Sequence, residues 1–543
     1  MTENKNTILA IVLSALVLIG WQYFFAIPQE KARQEQLAQQ QQLQKQNPQQ
    51  PAAQPGQPAP AVQPGAPQAL PGQVPGPAAQ SAANEPVSRE KALAATPRIP
   101  IQTDSLQGSI ALKGGRIDDI SLVKFRETVD PKSPPIVLLS PSGTADPFYA
   151  EFGWAAAEGT AVKVPTADTV WTQVGSGALS VNHPVTLSTS DGAVEFRRTL
   201  SVDDKYLFTL KDEVVNKGST PITLYPYALI SRHGTPQTAG YYILHEGLIG
   251  VLGESGLQEY TYKNIEDKKT VNFDVTNAWF GITDKYWAAT LLPDTGAHMK
   301  ARFSTGTLGA LKTYQTDYLL DAQTIAPGAT GSTDTRLFAG AKEVNVVNAY
   351  NSTLNLNRFK LLIDWGWFYF ITQPLFQAID YLYRLVGNFG LAILMVTVLI
   401  KLAFFPLASK SYASMAKMKA VQPQMTAIRE RFADDKAKQQ QELMELYRRE
   451  KINPLAGCLP IVIQIPVFFS LYKVLFVTIE MRHAPFFGWI HDLSAQDPTN
   501  IFTLFGLIPF DPTIVPVIGH FLHLGAWPLI ISAFTRVFDA LWS

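Results

Sequence analysis

The chain has 543 residues, enough for three or more structural units at roughly 100–200 residues per domain. Its composition, 46% hydrophobic and 17% charged, leans toward a membrane protein that carries a large soluble part, and a net charge of zero makes charge informative only locally. A single cysteine, Cys458, excludes an internal disulfide framework, and His520 and His523, spaced i,i+3 without Cys or carboxylate partners, point to no metal or cofactor.

The first element is an uncharged stretch, Ile8 to Ile27, long enough to cross a bilayer. It has neither the shorter apolar core nor the small-residue cleavage site of a removed signal peptide, so residues 1–28 read as a retained signal anchor. Residues 29–96 are dominated by Gln, Pro and Ala, a composition that buries too little apolar surface to offset ordering entropy, and they read as a disordered linker. Between residues 97 and 345 the pattern alternates. In GAVEFRRTLSV, Val194, Phe196, Leu200 and Val202 share one face, Glu195, Arg197, Thr199 and Ser201 share the other, and Arg198 is the exception. With turn punctuation at Gly114-Gly115, Asp191-Gly192 and Asn216-Lys217-Gly218, this predicts a sizeable antiparallel β-sandwich.

Past residue 345 the chain becomes helical. Residues 346–387, with Trp365, Trp367, Phe368, Tyr369 and Phe370, are rich in interface formers and predict an amphipathic segment along the membrane surface. Membrane spans are predicted over 388–408 and 454–480, separated by a cytoplasmic helical hairpin over 409–453. An external loop over 481–520 and a last apolar segment over 521–543 follow. Charge sets the orientation. Ten Lys/Arg face six Asp/Glu between Lys410 and Lys451, whereas Arg482 is the lone Lys/Arg between Glu480 and Pro512. The first loop is therefore cytoplasmic, and the second loop and the β-domain are external.

Chemistry concentrates in the spans. Lys401 lies about 16 Å along its helix from Gly390, near the middle of a roughly 30 Å hydrocarbon layer, where a charge costs about 2.5–3.5 kcal/mol. Thr397 shares its face, and Gln464, flanked by Pro460 and Pro466, reaches a comparable depth on the second span. The three are candidates to line one wet, cation-bearing recess. Interhelical hydrogen bonding by Thr397 and Gln464, and snorkelling of Lys401 to the headgroups, remain open. Lys473, near the outer end of its span, is expected to snorkel. In the hairpin, Met415, Met418, Met425 and Met444 are half of the chain's eight methionines. Together with Lys417, Lys419, Arg429 and Arg431 they suit contact with ribosome or nascent chain, or else an ordinary Met-filled helical seam with solvated charges. No G-x-x-x-x-G-K-[ST], H-E-x-x-H, G-x-S-x-G or C-x-x-C motif is present, so the chain is not expected to be an enzyme.

Five stretches carry a family resemblance: WGWFYFITQPLF, GNFGLAILMVTVLIKLAFFPL, SYASMAKMKAVQPQM, INPLAGCLPIVIQIPVF and HAPFFGWIHDLSAQDP. They resemble the YidC insertases, relatives of the Oxa and Alb proteins, in the Gram-negative form with anchor, linker and β-domain. The resemblance implies a multi-domain membrane protein: an α-helical transmembrane insertase core plus a periplasmic all-β supersandwich domain similar to galactose mutarotase. It implies an insertase and chaperone for nascent membrane proteins in the bacterial inner membrane. Such a protein is multi-pass and works alone or with the Sec translocon, the translating ribosome or the signal-recognition machinery, among inner-membrane lipids, with no role for DNA. The family's groove cation, usually Arg, falls on Lys401. Members have two further spans and a basic tail after the region matching GAWPLIISAFTRVF, so a chain ending at Ser543 is expected to be a frameshifted or truncated product. A solute channel and a membrane-anchored periplasmic glycan-binding protein are the rival classes. Too few spans and no inverted repeat weigh against the first, and a basic Met-rich loop on the opposite membrane face against the second.

Overall fold

In a computed structural model of the chain, the structure describes residues 73–76, 86–238, 244–309, 311–450, 459–488 and 490–494. The expected anchor, most of the expected linker and outer loop, the His520–His523 pair and the last apolar segment with its terminus lie outside the described residues. The linker expectation ran too far. Ser88 caps a short helix, α1 (Arg89–Ala94), by accepting from the Lys91 N–H, and strand structure begins at Arg98.

Two antiparallel sheets form the β-domain. One runs in spatial order through Arg98–Gln102, Leu106–Ala111, Arg116–Arg126, Phe148–Ala156, Ile222–His233, Leu311–Leu320, His298–Leu308 and Thr270–Thr276, with two short strands paired at its side. The other runs through Leu257–Thr261, Gly247–Leu252, Ala278–Thr283, Trp287–Pro293, Thr330–Ala341, Leu207–Asn216, Val194–Val202, Val185–Asp191 and Thr172–Val174. Alternation in strand Val194–Val202 puts Val194, Phe196, Leu200 and Val202 into the core between the sheets, as the period of two dictates. A short α-helix, α2 (Tyr262–Lys268), and a 3-10 turn at Gly253–Ser255 interrupt the strands.

Arg198 breaks the apolar run because it is a buried structural cation. Its side chain is fully buried, forks onto Asp212 at 2.6 and 2.8 Å, and donates to the carbonyls of Gly115 at 3.0 Å and Phe152 at 2.7 Å. It lies over the rings of Phe152 and Trp171. Burial works against the guanidinium, but Asp212 keeps its pKa above the usual value.

Helices follow the strands. Helix α3 (Val344–Thr353) packs on the β-domain through Val344, Val346, Val347 and Tyr350, whose hydroxyl donates to Asp203 at 2.6 Å. Helix α4 (Tyr369–Val386) buries Thr372, Leu375, Phe376 and Ile379 and exposes Tyr369, Phe370, Tyr381 and Leu385, giving an amphipathic rod. Gly387 ends it with φ 70°, and Asn388 then caps α5 (Phe389–Ala420) by accepting from the Leu391 N–H. The span expected over 388–408 continues without interruption into the hairpin: α5 runs on for 32 residues, about 48 Å, which exceeds a roughly 30 Å hydrocarbon layer. Its last turns, α6 (Gln422–Arg431) and α7 (Lys436–Arg449) form the hairpin. Helix α8 (Leu459–Val477) returns. Among the described residues, α5 and residues Pro460–Val477 are the two helices long and apolar enough to cross a membrane.

Arg198→Ala leaves Asp212 buried without its partner, so it should cost about 3–5 kcal/mol, whereas Arg198→Met with Asp212→Leu should recover most of that loss. Thermal melts of the β-sheet circular dichroism of the full chain in detergent measure both.

Candidate functional site

Two intramembrane lysines have opposite fates. Lys401 is exposed on α5, and its Nζ stands 5.8 Å from the ring centroid of Phe468 on α8. Among the described residues it has no carboxylate partner. Phe468 lies one turn after Gln464, so Lys401 and Gln464 occupy facing helices, with Gln464 half-buried. Thr397 is half-buried and spends its hydroxyl on its own helix, donating to the Ile393 carbonyl at 2.8 Å. No hydrogen bond among the described residues joins the three candidates.

Proline supplies further polarity. Pro406 lacks the N–H that would bond the Leu402 carbonyl, and Pro466 likewise leaves Val462, so bare acceptors flank Lys401 and Gln464. Pro460 adds nothing of this kind, because it stands in the first turn of α8, where no helical partner is lost.

Lys473 does not snorkel. Its side chain is 3% exposed, and its Nζ pairs with Asp364 Oδ2 at 2.9 Å. The same carboxylate accepts the N–H groups of His245, from the β-domain, and Gly366. Gly366 has φ 70°, and a Cβ there would crowd the Lys473 stem, so glycine suits the turn that delivers Asp364. Burial pushes the His245 imidazole down to about 4, which keeps it neutral beside this pair. Just past α8, Glu480 Oε1 accepts the Val344 N–H at 2.8 Å, and burial raises its pKa to about 7. Arg482 donates to the carbonyls of Arg126 and Glu127. These contacts hold the β-domain to the outer end of α8. They were not read from the sequence; the available signal was a second lysine in a span with an aspartate just before the aromatic run.

In the hairpin, Met425 is buried with Val421 and Leu446, and Met418 is packed against them. Both pack in the seam between helices, the second of the two roles the sequence leaves open for them. Met415, Lys417, Lys419, Arg429 and Arg431 are exposed. Asp435 caps α7 by accepting from the Lys438 N–H at 3.0 Å, which sets the turn.

The chain matches the family model of the YidC periplasmic domain over residues 98–378 and that of the 60Kd inner membrane protein over 381–537. It is 62% identical to a membrane protein insertase YidC from Bradyrhizobium diazoefficiens, across 98% of this chain and 87% of that one. It is equally 62% identical to one from Nitrobacter hamburgensis, across 98% and 86%. A crystal structure of an active YidC insertase with its first transmembrane domain resolved aligns at 19% identity and a TM-score of 0.27, across 79% of this chain and 87% of that one.

Lys473→Met strands Asp364 between domains and should destabilise the junction toward the low end of the roughly 3–5 kcal/mol range, since Asp364 keeps some solvent contact. Adding Asp364→Asn should restore part of it. Hydrogen exchange at Leu244–Leu252 and in α8 reads the loss and the recovery.

Proposed function

The chain belongs to the YidC family of membrane protein insertases, and from that premise we propose that Lys401 is the cation that receives the hydrophilic tail of a nascent membrane protein. The protein is an inner-membrane insertase with a periplasmic domain, acting on nascent membrane proteins. One observation supports the role of Lys401: it is exposed at mid-helix without an ion-pair partner among the described residues, while Lys473 is neutralised by Asp364. An unpaired ammonium in a low-dielectric setting attracts carboxylates far more strongly than one in water. Gln464 and the carbonyls freed by Pro406 and Pro466 supply hydrogen bonds beside it. Thr397, bonded to its own helix, serves as a polar wall.

In this reading the tail passes along the polar strip, the following apolar segment moves sideways into lipid, and burial at about 25 cal/mol per Å² drives the process. No covalent step is needed. The exposed Met415, Lys417, Lys419, Arg429 and Arg431 are the proposed contacts to the ribosome or emerging chain, with the Sec translocon a partner for larger substrates. A multi-pass topology with the hairpin in the cytoplasm is part of this reading, supported by two helices, α5 and α8, long and apolar enough to cross a membrane.

Lys401→Leu should reduce insertion of substrates with acidic tails in proteoliposomes by about tenfold or more, and Lys401→Arg should retain it. Equal insertion by Lys401→Leu and the parent chain sinks the proposal. Charge reversal of Lys417, Lys419, Arg429 and Arg431 to Glu should weaken crosslinking to translating ribosomes, more so as salt falls. Undiminished crosslinking limits these residues to solubility.

A further inference from the structure

A short piece of the chain's own proline-rich tract, residues 73–76, rests on the outward face of the first sheet. Strands Phe148–Ala156, Ile222–His233 and Leu311–Leu320 send alternate residues into the core, and Tyr149, Ala155, Tyr225, Tyr227, Leu229 and Leu319 stand on the opposite face. Val74, from the tract, is buried among them at 9% exposure. Gln315 Nε2, on the same face, donates to the Pro75 carbonyl at 2.9 Å. That donor is built in advance: Gln315 is 2% exposed, and the same nitrogen is held by Asp317 at 2.8 Å, which Arg302 in turn pairs. Beneath Val74, the Tyr227 hydroxyl donates to Glu151 at 3.0 Å, and Arg116 Nε donates to the same carboxylate at 2.6 Å. Gly153 makes room, since a Cβ there would meet the Tyr227 ring.

Tyrosines flanking a fixed donor to a peptide carbonyl are the ingredients of polyproline recognition. Proline brings no N–H to be stranded against the rings, and an already extended segment loses little entropy on docking. The tract repeats the unit Pro-Gly at 55–56, 64–65, 71–72 and 75–76, and one copy is seated. We propose that this face is a peptide-binding groove for an extended, uncharged, proline-bearing segment, filled in cis by Val74-Pro75 and open to exchange with such a segment in trans. Only nine positions of chain separate Gly76 from Pro86, a spacing short enough for millimolar effective concentration. A weak site therefore stays filled until a competitor reaches that level or gains avidity.

Cysteine accessibility in the full chain tests this. On a Cys458→Ser background, Val74→Cys and, as the reference, Val87→Cys, at a position 41% exposed, are labelled with a membrane-impermeant maleimide in proteoliposomes. The thiol of Val74→Cys should react at least tenfold more slowly than that of Val87→Cys. Gln315→Ala, which leaves the core untouched, should speed it severalfold, and Leu229→Asp should bring it to the reference rate. A synthetic peptide of residues 70–77 at about 10 mM should accelerate it, and a scrambled peptide should not. Equal rates for the two thiols overturn the docking, and a slow rate indifferent to the peptide overturns the exchange and with it the proposal.

Discussion

The ion pair of Lys473 with Asp364 carries the architecture, because it lets a charge sit buried in a membrane helix and makes a soluble domain its counterion's support. A lone ammonium there would cost several kcal/mol, and the penalty is offset only if the carboxylate arrives at a fixed place. Asp364 is placed by two backbone donors, one of them from His245 in the β-domain. The outer end of α8 therefore cannot change position without disturbing the sheets. Glu480 and Arg482 repeat the arrangement, each meeting backbone groups of the β-domain or its adjoining helix.

With that end of α8 held, the polar strip deeper in the core gains meaning. Phe468 and Gln464 project from the same helix that Lys473 anchors, and Lys401 faces them from α5. The two lysines differ in burial and, among the described residues, in whether a carboxylate is supplied from within the chain. Where it is, the residue is structural; where it is not, the residue remains available to an anionic segment from outside. The role proposed for Lys401 depends on that asymmetry, since a cation neutralised internally would attract nothing.

The β-domain shows the same economy with buried charge. Arg198–Asp212 lies inside the sandwich, and Arg116–Glu151 and Arg302–Asp317 lie beneath the outer face of the first sheet. Each acid is held by a guanidinium whose fork satisfies it along with neighbouring groups. The outer pairs stiffen the tyrosine-lined surface on which Val74 and Pro75 rest. The face is polar below and apolar on top, which explains how a proline-rich tract finds a seat on a sheet.

Period and composition by themselves determined the two-sheet domain, the amphipathic helix after it and the two helices apolar enough to cross a membrane, because each is a local pattern enforced by water or lipid. Arg198 was visible as a break in alternation, but its role was not, since Asp212 and the carbonyls of Gly115 and Phe152 come from other strands. Tertiary structure alone decided which lysine is paired, which methionines fill the hairpin seam, that α5 continues to Ala420, and that part of the tract before the first strand is docked. The reason is common to the lysine, the methionines and the tract. Each depends on a partner distant in sequence, and the free energy of a charge or an apolar side chain is set by what surrounds it after folding.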